Sequence, residues 1–270
     1  VTAPALARLR SAVVDVGPMV VAFSGGADSA LLAWVAHDVH GADGALAATA
    51  VSPSLPASEL QDCRELAAHW GLAWIAVETD EIENPAYVAN DGDRCYWCKA
   101  ALLDALEPLA VDRSATVVLG VNLDDLDDHR PGQRAAAERG ARFPLVEAGL
   151  TKASVRELSR SLGLRTADKP AAACLASRLP YGTPVTLGVL REVEVAEAAL
   201  RALGFSELRV RHHREQARIE VPIAQLGQVV ERRLEVVDAV QRAGFRYVTL
   251  DLEGFRSGNL NRALREDPST

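Results

Sequence analysis

Cysteine is scarce in this chain of 270 residues, with four in all, and methionine occurs once. Four thiols are too few for a disulfide framework at this length, so their spacing is read first as metal, redox or catalytic chemistry. No apolar run is long enough to span a bilayer. No basic stretch leads into a short apolar run near the start, which places the chain, as an expectation, in the cytoplasm. Positive charge is also short: 29 Lys and Arg stand against 37 Asp and Glu, for a net −8. That balance argues against a broad electrostatic grip on nucleic acid, while leaving room for one local basic patch. What is plentiful is core material, at 49% hydrophobic, enough for one large domain or two modest ones.

The most informative stretch is Phe23-Ser24-Gly25-Gly26-Ala27-Asp28-Ser29, preceded by the apolar run Met19–Ala22. A strand-type run that breaks into Ser-Gly-Gly and resumes with helical spacing predicts strand, loop, helix. Two glycines admit a ligand close to the backbone, and the new helix turns its free N–H groups and positive dipole end toward it. Ser24 and Ser29 add hydroxyl donors, and Asp28 is placed to meet a metal carried by phosphates. No lysine follows the glycines, so this is not the Walker loop.

Along the chain, helical spacing over residues 4–16 is followed by that strand and loop and by a helix from about Ser29 to Val39. Strands are expected at Leu46–Val51, Ala73–Val77 and Thr116–Gly120, with a helix over Ser58–Trp70 between the first two. Strands alternating with helices imply parallel pairing and right-handed crossovers. Cys63, inside the Ser58–Trp70 helix, reads as a small buried hydrophobe. Cys95-Tyr96-Trp97-Cys98 runs into a helix. C-x-x-C puts two thiols on one side of a turn, suited to a shared metal or cluster or to a redox pair.

After the Thr116 strand come Asn122, Asp124, Asp125, Asp127, Asp128 and His129. At a strand's carboxyl end they read as a metal and phosphate site facing the glycine loop, with His129 structural. Phe143–Leu145 reads as a short extended piece, and Thr151 as the cap of a helix that Gly163 stops. Residues 166–182, around Cys174, carry almost no regular signal, and a long irregular segment in a compact enzyme is usually functional. Helix, two strands, helix, strand then make a small α+β domain, in which Arg209, Arg211 and His213 share one face of a strand. Near the end, Arg256-Ser257-Gly258-Asn259 is expected to close the same site or an oligomer contact.

The hexapeptide S-G-G-A-D-S resembles the pyrophosphate loop of the N-type ATP pyrophosphatases. Together with R-C-Y-W-C-K, N-L-D-D-L-D-D-H-R-P-G, D-K-P-A-A-A-C-L-A-S-R-L-P-Y-G, R-V-R-H-H and D-L-E-G-F-R-S-G, it is similar to the LarE-type ATP-dependent sulfur transferases of nickel-pincer cofactor synthesis. The resemblance implies an α/β fold: a parallel sheet with flanking helices over residues 1–165, an active-site linker over 166–185, and an α+β substrate-binding or oligomerisation domain over 186–270. It implies adenylation of a carboxylate of pyridinium-3,5-biscarboxylic acid mononucleotide, release of pyrophosphate, and thiocarboxylate formation.

By the same resemblance, Ser24, Gly25, Gly26, Asp28, Ser29 and Asn122 would hold ATP, with Asp28 and Asp125 near Mg²⁺. Trp97 would stack on the pyridinium ring, worth about 0.5–2 kcal/mol. Ser177, Arg178, Arg209 and Arg211 would hold the mononucleotide's phosphate, and Glu197 is a further candidate carboxylate. Sulfur would come from a [4Fe-4S] cluster on Cys95, Cys98 and Cys174, or from Cys174 itself. The expected partners are the small-molecule substrate, other cofactor-synthesis enzymes and further copies of the chain. Competing readings are a tRNA thiolase, which the negative charge disfavours, another PP-loop amidotransferase, and a non-catalytic nucleotide- or metal-binding module.

Overall fold

The computed structural model describes residues 2–126, 131–170 and 173–256, with Pro131 described in its backbone alone. Asp127, Asp128, His129 and residues 257–259 therefore lie outside the described residues. The chain divides into two compact units, one of Val1–Tyr87 with Asp93–Ala172, the other of Val88–Gly92 with Ala173–Thr270. None of the described helices is long and apolar enough to cross a membrane.

The first unit runs α1 (Thr2–Val16), β1 (Met19–Ala22), α2 (Ala27–Gly44), β2 (Ala45–Val51), α3 (Ala57–Trp70), β3 (Ala73–Glu78) and α4 (Pro85–Val88). It continues with α5 (Arg94–Asp112), β4 (Thr116–Leu119), α6 (Pro131–Glu138), α7 (Pro144–Glu147) and α8 (Lys152–Ser161). Its sheet is parallel, in the order β3-β2-β1-β4. Met19, Val20 and Val21 of the central strand are buried, as a strand covered on both faces requires. Leu31, Leu32 and Val35 of α2 and Leu9 and Val13 of α1 fill the core on one face; Leu102 and Leu106 of α5 pack with Val20 on the other.

This order sets the position of the site. The chain leaves β1 toward β2 on one side, and the connection from β3 returns to β4 on the other, so the sheet reverses its winding between β1 and β4. A ligand crevice belongs outside the carboxyl ends of those two strands.

Two local expectations change. Phe143–Leu145 is not extended: Pro144, whose fixed φ suits a first helical position, starts the short α7, and the extended residue is Arg142, bridged to Val118. The helix after β1 passes Val39 and reaches Gly44, with a kink where Gly41 takes φ +68°.

The second unit comprises α9 (Leu187–Ala202), β5 (Arg209–His213), β6 (Gln216–Glu220), α10 (Leu226–Glu231), α11 (Arg233–Arg242) and β7 (Tyr247–Leu250). Its sheet is β5-β6-β7, antiparallel then parallel. Thr186 caps α9 by accepting from the Val189 amide at 3.3 Å. Asn90 joins residues 88–92 to this unit. It takes φ +55°, a left-handed conformation that Asn tolerates, and its amide donates to Pro180 O and Thr183 O, both at 2.8 Å.

Candidate active site

The loop between β1 and α2 is closed on itself by its own hydroxyls. Ser29 Oγ accepts from the Ser24 amide at 3.1 Å, lies 3.0 Å from Ser24 Oγ, and donates to Gly26 O at 3.3 Å. Gly25 takes φ +66°, and a Cβ there would lie 3.0 Å from Cys63 Sγ, so both backbone angle and space call for glycine. Gly26 caps α2 with no side chain, and no side-chain acceptor satisfies the first-turn amides. The helix thus keeps its donors and its positive dipole end for an anion.

The loop after β4 meets it across the crevice. Asn122 Nδ2 donates to Asp28 Oδ1 at 3.1 Å. Asn122 also accepts from the Asp124 amide at 3.0 Å, and Asp125 Oδ2 accepts from the Asn122 amide at 3.1 Å, a reciprocal cap on the 3₁₀ turn Leu123–Asp125. The approach is so close that a Cβ on Gly120 would sit 2.6 Å from the Ser29 amide nitrogen and 2.9 Å from the Asp28 carbonyl carbon.

Two lysines that the sequence reading passed over complete the surroundings. Lys152, first residue of α8, forms an ion pair with Asp28 Oδ2, and its backbone amide donates to Asp124 Oδ2 at 2.9 Å. Lys169 bonds Glu59 at 2.8 Å and Asp62 at 2.5 Å, with its Nζ 3.7 Å from where a Gly25 Cβ would stand. Burial works against the Lys169 charge, but Asp62 and Glu59 outweigh it and hold the ammonium above its ordinary range. For Asp62 burial is likewise outweighed, by Lys169 and Arg165, and its carboxyl is held low. Cys63 lies beneath the loop, fully buried, and burial above all pushes its thiol up to about 11. It is a buried, unreactive thiol, in keeping with its reading as a small buried hydrophobe.

Cys95, Trp97 and Cys98 stand on the first turn of α5. A crossover helix runs opposite to its strands, so this turn lies at the carboxyl edge of the sheet, the edge that carries the glycine loop. Cys95 is exposed and Cys98 half-buried. Trp97 is half-buried, with Tyr96 edge-on to it at 5.1 Å. A Cβ on Gly132 would lie 3.1 Å from Cys95 O, so glycine there lets α6 press on this turn.

In the second unit Cys174 precedes the 3₁₀ turn Leu175–Arg178, and its carbonyl accepts from Ser177 Oγ at 2.7 Å and from Arg178 Nη1 at 3.1 Å. The expected clamp residues there are buried. Arg178 pairs with Glu197 through two bonds of 2.8 and 3.0 Å, and Arg211 with Glu220 through bonds of 3.0 and 2.9 Å. Glu197 also accepts from Arg201 and from the Val210 amide. Arg211 Nη1 donates to Ser177 O at 2.8 Å. Arg209 is different: it lies 4.7 Å over the Phe255 ring, and no carboxylate among the described residues pairs with it. Burial, then the charges of Arg211 and Arg178, pull its pKa below the ordinary guanidinium value.

Among the described residues no group of three or more His, Cys, Asp and Glu side chains could hold a metal ion. Cys95 and Cys98 belong to the first unit and Cys174 to the second. The expected [4Fe-4S] cluster therefore finds no support among the described residues. Magnesium that comes with a nucleotide is a different case, because it asks a protein for only one or two carboxylates beside the phosphates.

A parallel sheet with this loop at its switch point, joined to a smaller mixed-sheet unit, defines a PP-loop, nucleotide-dependent transferase. No family model matches the chain. It is 48% identical over 262 residues to an uncharacterized protein of Synechocystis, covering 96% of this chain and 97% of that one. It is 39% identical over 259 residues to the pyridinium-3,5-bisthiocarboxylic acid mononucleotide synthase of Lactiplantibacillus plantarum, covering 96% and 94%. An uncharacterized protein of Methanocaldococcus jannaschii is 26% identical over 240 residues, with 88% and 91% covered. The chain belongs to the PP-loop family that contains this synthase.

Proposed function

We propose that the chain is an ATP-dependent sulfur transferase acting on pyridinium-3,5-biscarboxylic acid mononucleotide in nickel-pincer cofactor synthesis. A carboxylate is a poor acyl donor. One of its oxygens attacks the α-phosphorus of ATP, the bond from that phosphorus to the bridging oxygen breaks, and pyrophosphate leaves with the electron pair. A sulfur nucleophile then displaces AMP from the acyl-adenylate and leaves a thiocarboxylate.

The observation that carries this reading is the glycine loop, with its uncapped helix end and Asp28, in a chain 39% identical along nearly its whole length to a synthase of that name. Ser24, Gly25, Gly26, Ser29 and the first-turn amides of α2 hold the polyphosphate, and Asp28, oriented by Asn122, faces the magnesium that arrives with it. Asp125 shares that edge. Trp97 presents an aromatic face for the pyridinium, while Ser177, Arg178, Arg209 and Arg211 form the pocket for the mononucleotide's phosphate. Glu197 orients Arg178 there. The sulfur source is either a sulfide held by the thiols of Cys95, Cys98 and Cys174 or the sulfur of Cys174 itself.

The test is pyrophosphate release from ATP that depends on the dicarboxylate mononucleotide, with mass spectrometry of the product. Exchange of one carboxylate oxygen for sulfur is expected. ATP binding without substrate-dependent pyrophosphate release would make the chain a binding module. Mass spectrometry of the polypeptide across one turnover then identifies the donor: loss of sulfur at Cys174 means a consumed cysteine, and an unchanged chain means a bound sulfide.

A further inference from the structure

One hydroxyl lies beneath the entrance to the glycine loop. β2 reads Ala45-Leu46-Ala47-Ala48-Thr49-Ala50-Val51, and Thr49, 2% exposed, is its one polar side chain. A hydroxyl buried in a strand costs free energy unless its hydrogen bonds are met. Here both are: Thr49 Oγ1 donates to Phe23 O at 2.7 Å and accepts from Trp74 Nε1 at 2.9 Å. The register explains the reach. Ala22 pairs with Ala48, so Phe23 comes opposite Thr49, and Trp74, opposite Ala47, stands two places back on the same face of the sheet. Phe23 O and the Ser24 N–H are the two ends of one planar peptide unit. The Ser24 N–H donates to Ser29 Oγ at 3.1 Å, so the unit is pinned at its carbonyl by Thr49 and at its amide by Ser29. Any rotation of that plane would carry Ser24 and the left-handed Gly25 with it.

Resting on the adenylation reading above, we propose that Thr49 is a positioning residue, which fixes the Phe23–Ser24 peptide so that Ser24, Gly25 and Gly26 already stand in the arrangement that receives pyrophosphate. Thr49 is buried below the loop and acts through the backbone. Trp74 sets the direction of its bond: an Oγ1 that accepts from the indole N–H has its single proton free for Phe23 O. The gain is preorganisation, since a loop held from β2 needs no rearrangement as charge develops on the departing group.

Thr49→Val keeps the shape and removes the hydroxyl, whereas Thr49→Ser keeps the hydroxyl. Calorimetry on the full chain with pyrophosphate and magnesium should show affinity falling about tenfold in the Val variant and largely recovered in the Ser variant. The kcat of substrate-dependent pyrophosphate release should fall by about ten- to hundredfold in the Val variant, with the KM for the mononucleotide unchanged. Because Thr49 and Ser29 hold one peptide unit, Thr49→Val should cost far less pyrophosphate affinity in a Ser29→Ala background than in the wild type. Thr49→Ala takes the place of the Val variant if that one fails to fold. A folded Thr49→Val protein with wild-type pyrophosphate affinity, even one that melts earlier, overturns the proposal, as do losses that simply add in the double variant; both leave adenylation standing. A wild-type chain that binds neither ATP nor pyrophosphate removes the adenylation reading, and the proposal with it.

Discussion

Gly120→Ala adds a single methyl group where β4 ends against the start of α2, and its consequence can be worked out from distances. The new Cβ would lie 2.6 Å from the Ser29 nitrogen and 2.9 Å from both the Asp28 carbonyl carbon and the Ser29 Cα, where ordinary contact begins near 3.4 Å. About 0.8 Å must therefore give at the tightest contact. All three neighbours are backbone, so no side chain can rotate away, and the displacement falls on the loop or on the β1–β4 pairing. Overpacking of this kind costs about 1–3 kcal/mol. For a chain of this size, that lowers the melting temperature by about 2–12 °C. The effect on the site is larger in proportion, since Asp28 and Ser29 are the residues pushed and a misplacement near 1 Å costs about 10²-fold in rate. Thermal melts and ATP-binding calorimetry of Gly120→Ala measure both. Gly188→Ala is the control: it sits in the first turn of α9 with open space around its Cβ and is expected to be neutral or slightly stabilising. A Gly120→Ala protein that melts with the wild type and binds ATP equally well would refute the close-approach argument.

Three further outcomes follow from the charges. Because the Cys63 thiol has its folded pKa near 11 against 9.0 unfolded, its burial favours the fold below 9.0, and that contribution is lost as pH rises between the two. The loss is about 2–3 kcal/mol; urea melts on either side of the window should show it in the wild type and not in Cys63→Ala. Asp62, held below its ordinary 3.8 by Lys169 and Arg165 against burial, contributes stability that is complete above 3.8 and disappears as pH falls through its lower folded pKa. Asp62→Asn should therefore melt earlier than the wild type by a constant interval across neutral pH, and the gap should close only in acid. Arg211→Met removes both guanidinium bonds from the fully buried Glu220 and should destabilise by about 3 kcal/mol. Arg209→Met, which strands no carboxylate among the described residues, should melt near the wild type yet, on the proposed function, raise the KM for the mononucleotide.

The sheet and the loop were legible because their signals are local. Met19–Ala22 is too short and too continuously apolar for an exposed strand, and Ser-Gly-Gly followed by helical spacing has one simple reading. Asn122 facing Asp28 was also foreseeable, since parallel strands bring their carboxyl ends to one edge. Lys152 and Lys169 were not, because each is held by a carboxylate more than 100 residues distant in sequence. Gly120 carried no warning either: its backbone angle is ordinary, and only the packing of α2 against β4 makes a side chain impossible there. The basic strand misled in the opposite way. Alternation placed Arg209 and Arg211 on one face correctly, but nothing local announced that Glu197 and Glu220 would be buried beside that strand.

Those buried carboxylates alter what the strand can do. Arg178 and Arg211 are each neutralised by a two-bond pairing, so their guanidinium groups are fixed in direction before any ligand arrives. Such pairing gives rigidity at the expense of free charge. The surplus falls on Arg209, whose guanidinium is disfavoured by burial and by the neighbouring Arg178 and Arg211 charges, with Glu220 and Glu197 only partly opposing them. A bound phosphate would relieve that repulsion, and its affinity should therefore depend on Arg209 more steeply than on either paired arginine. The discriminating variants keep the charge balance in view. Glu197→Gln frees a positive charge on Arg178 and should strengthen binding of a bare phosphate while loosening the Cys174 turn that Arg178 holds. If Glu197→Gln weakens phosphate binding instead, the paired arginines, and not Arg209, are the ones that grip it.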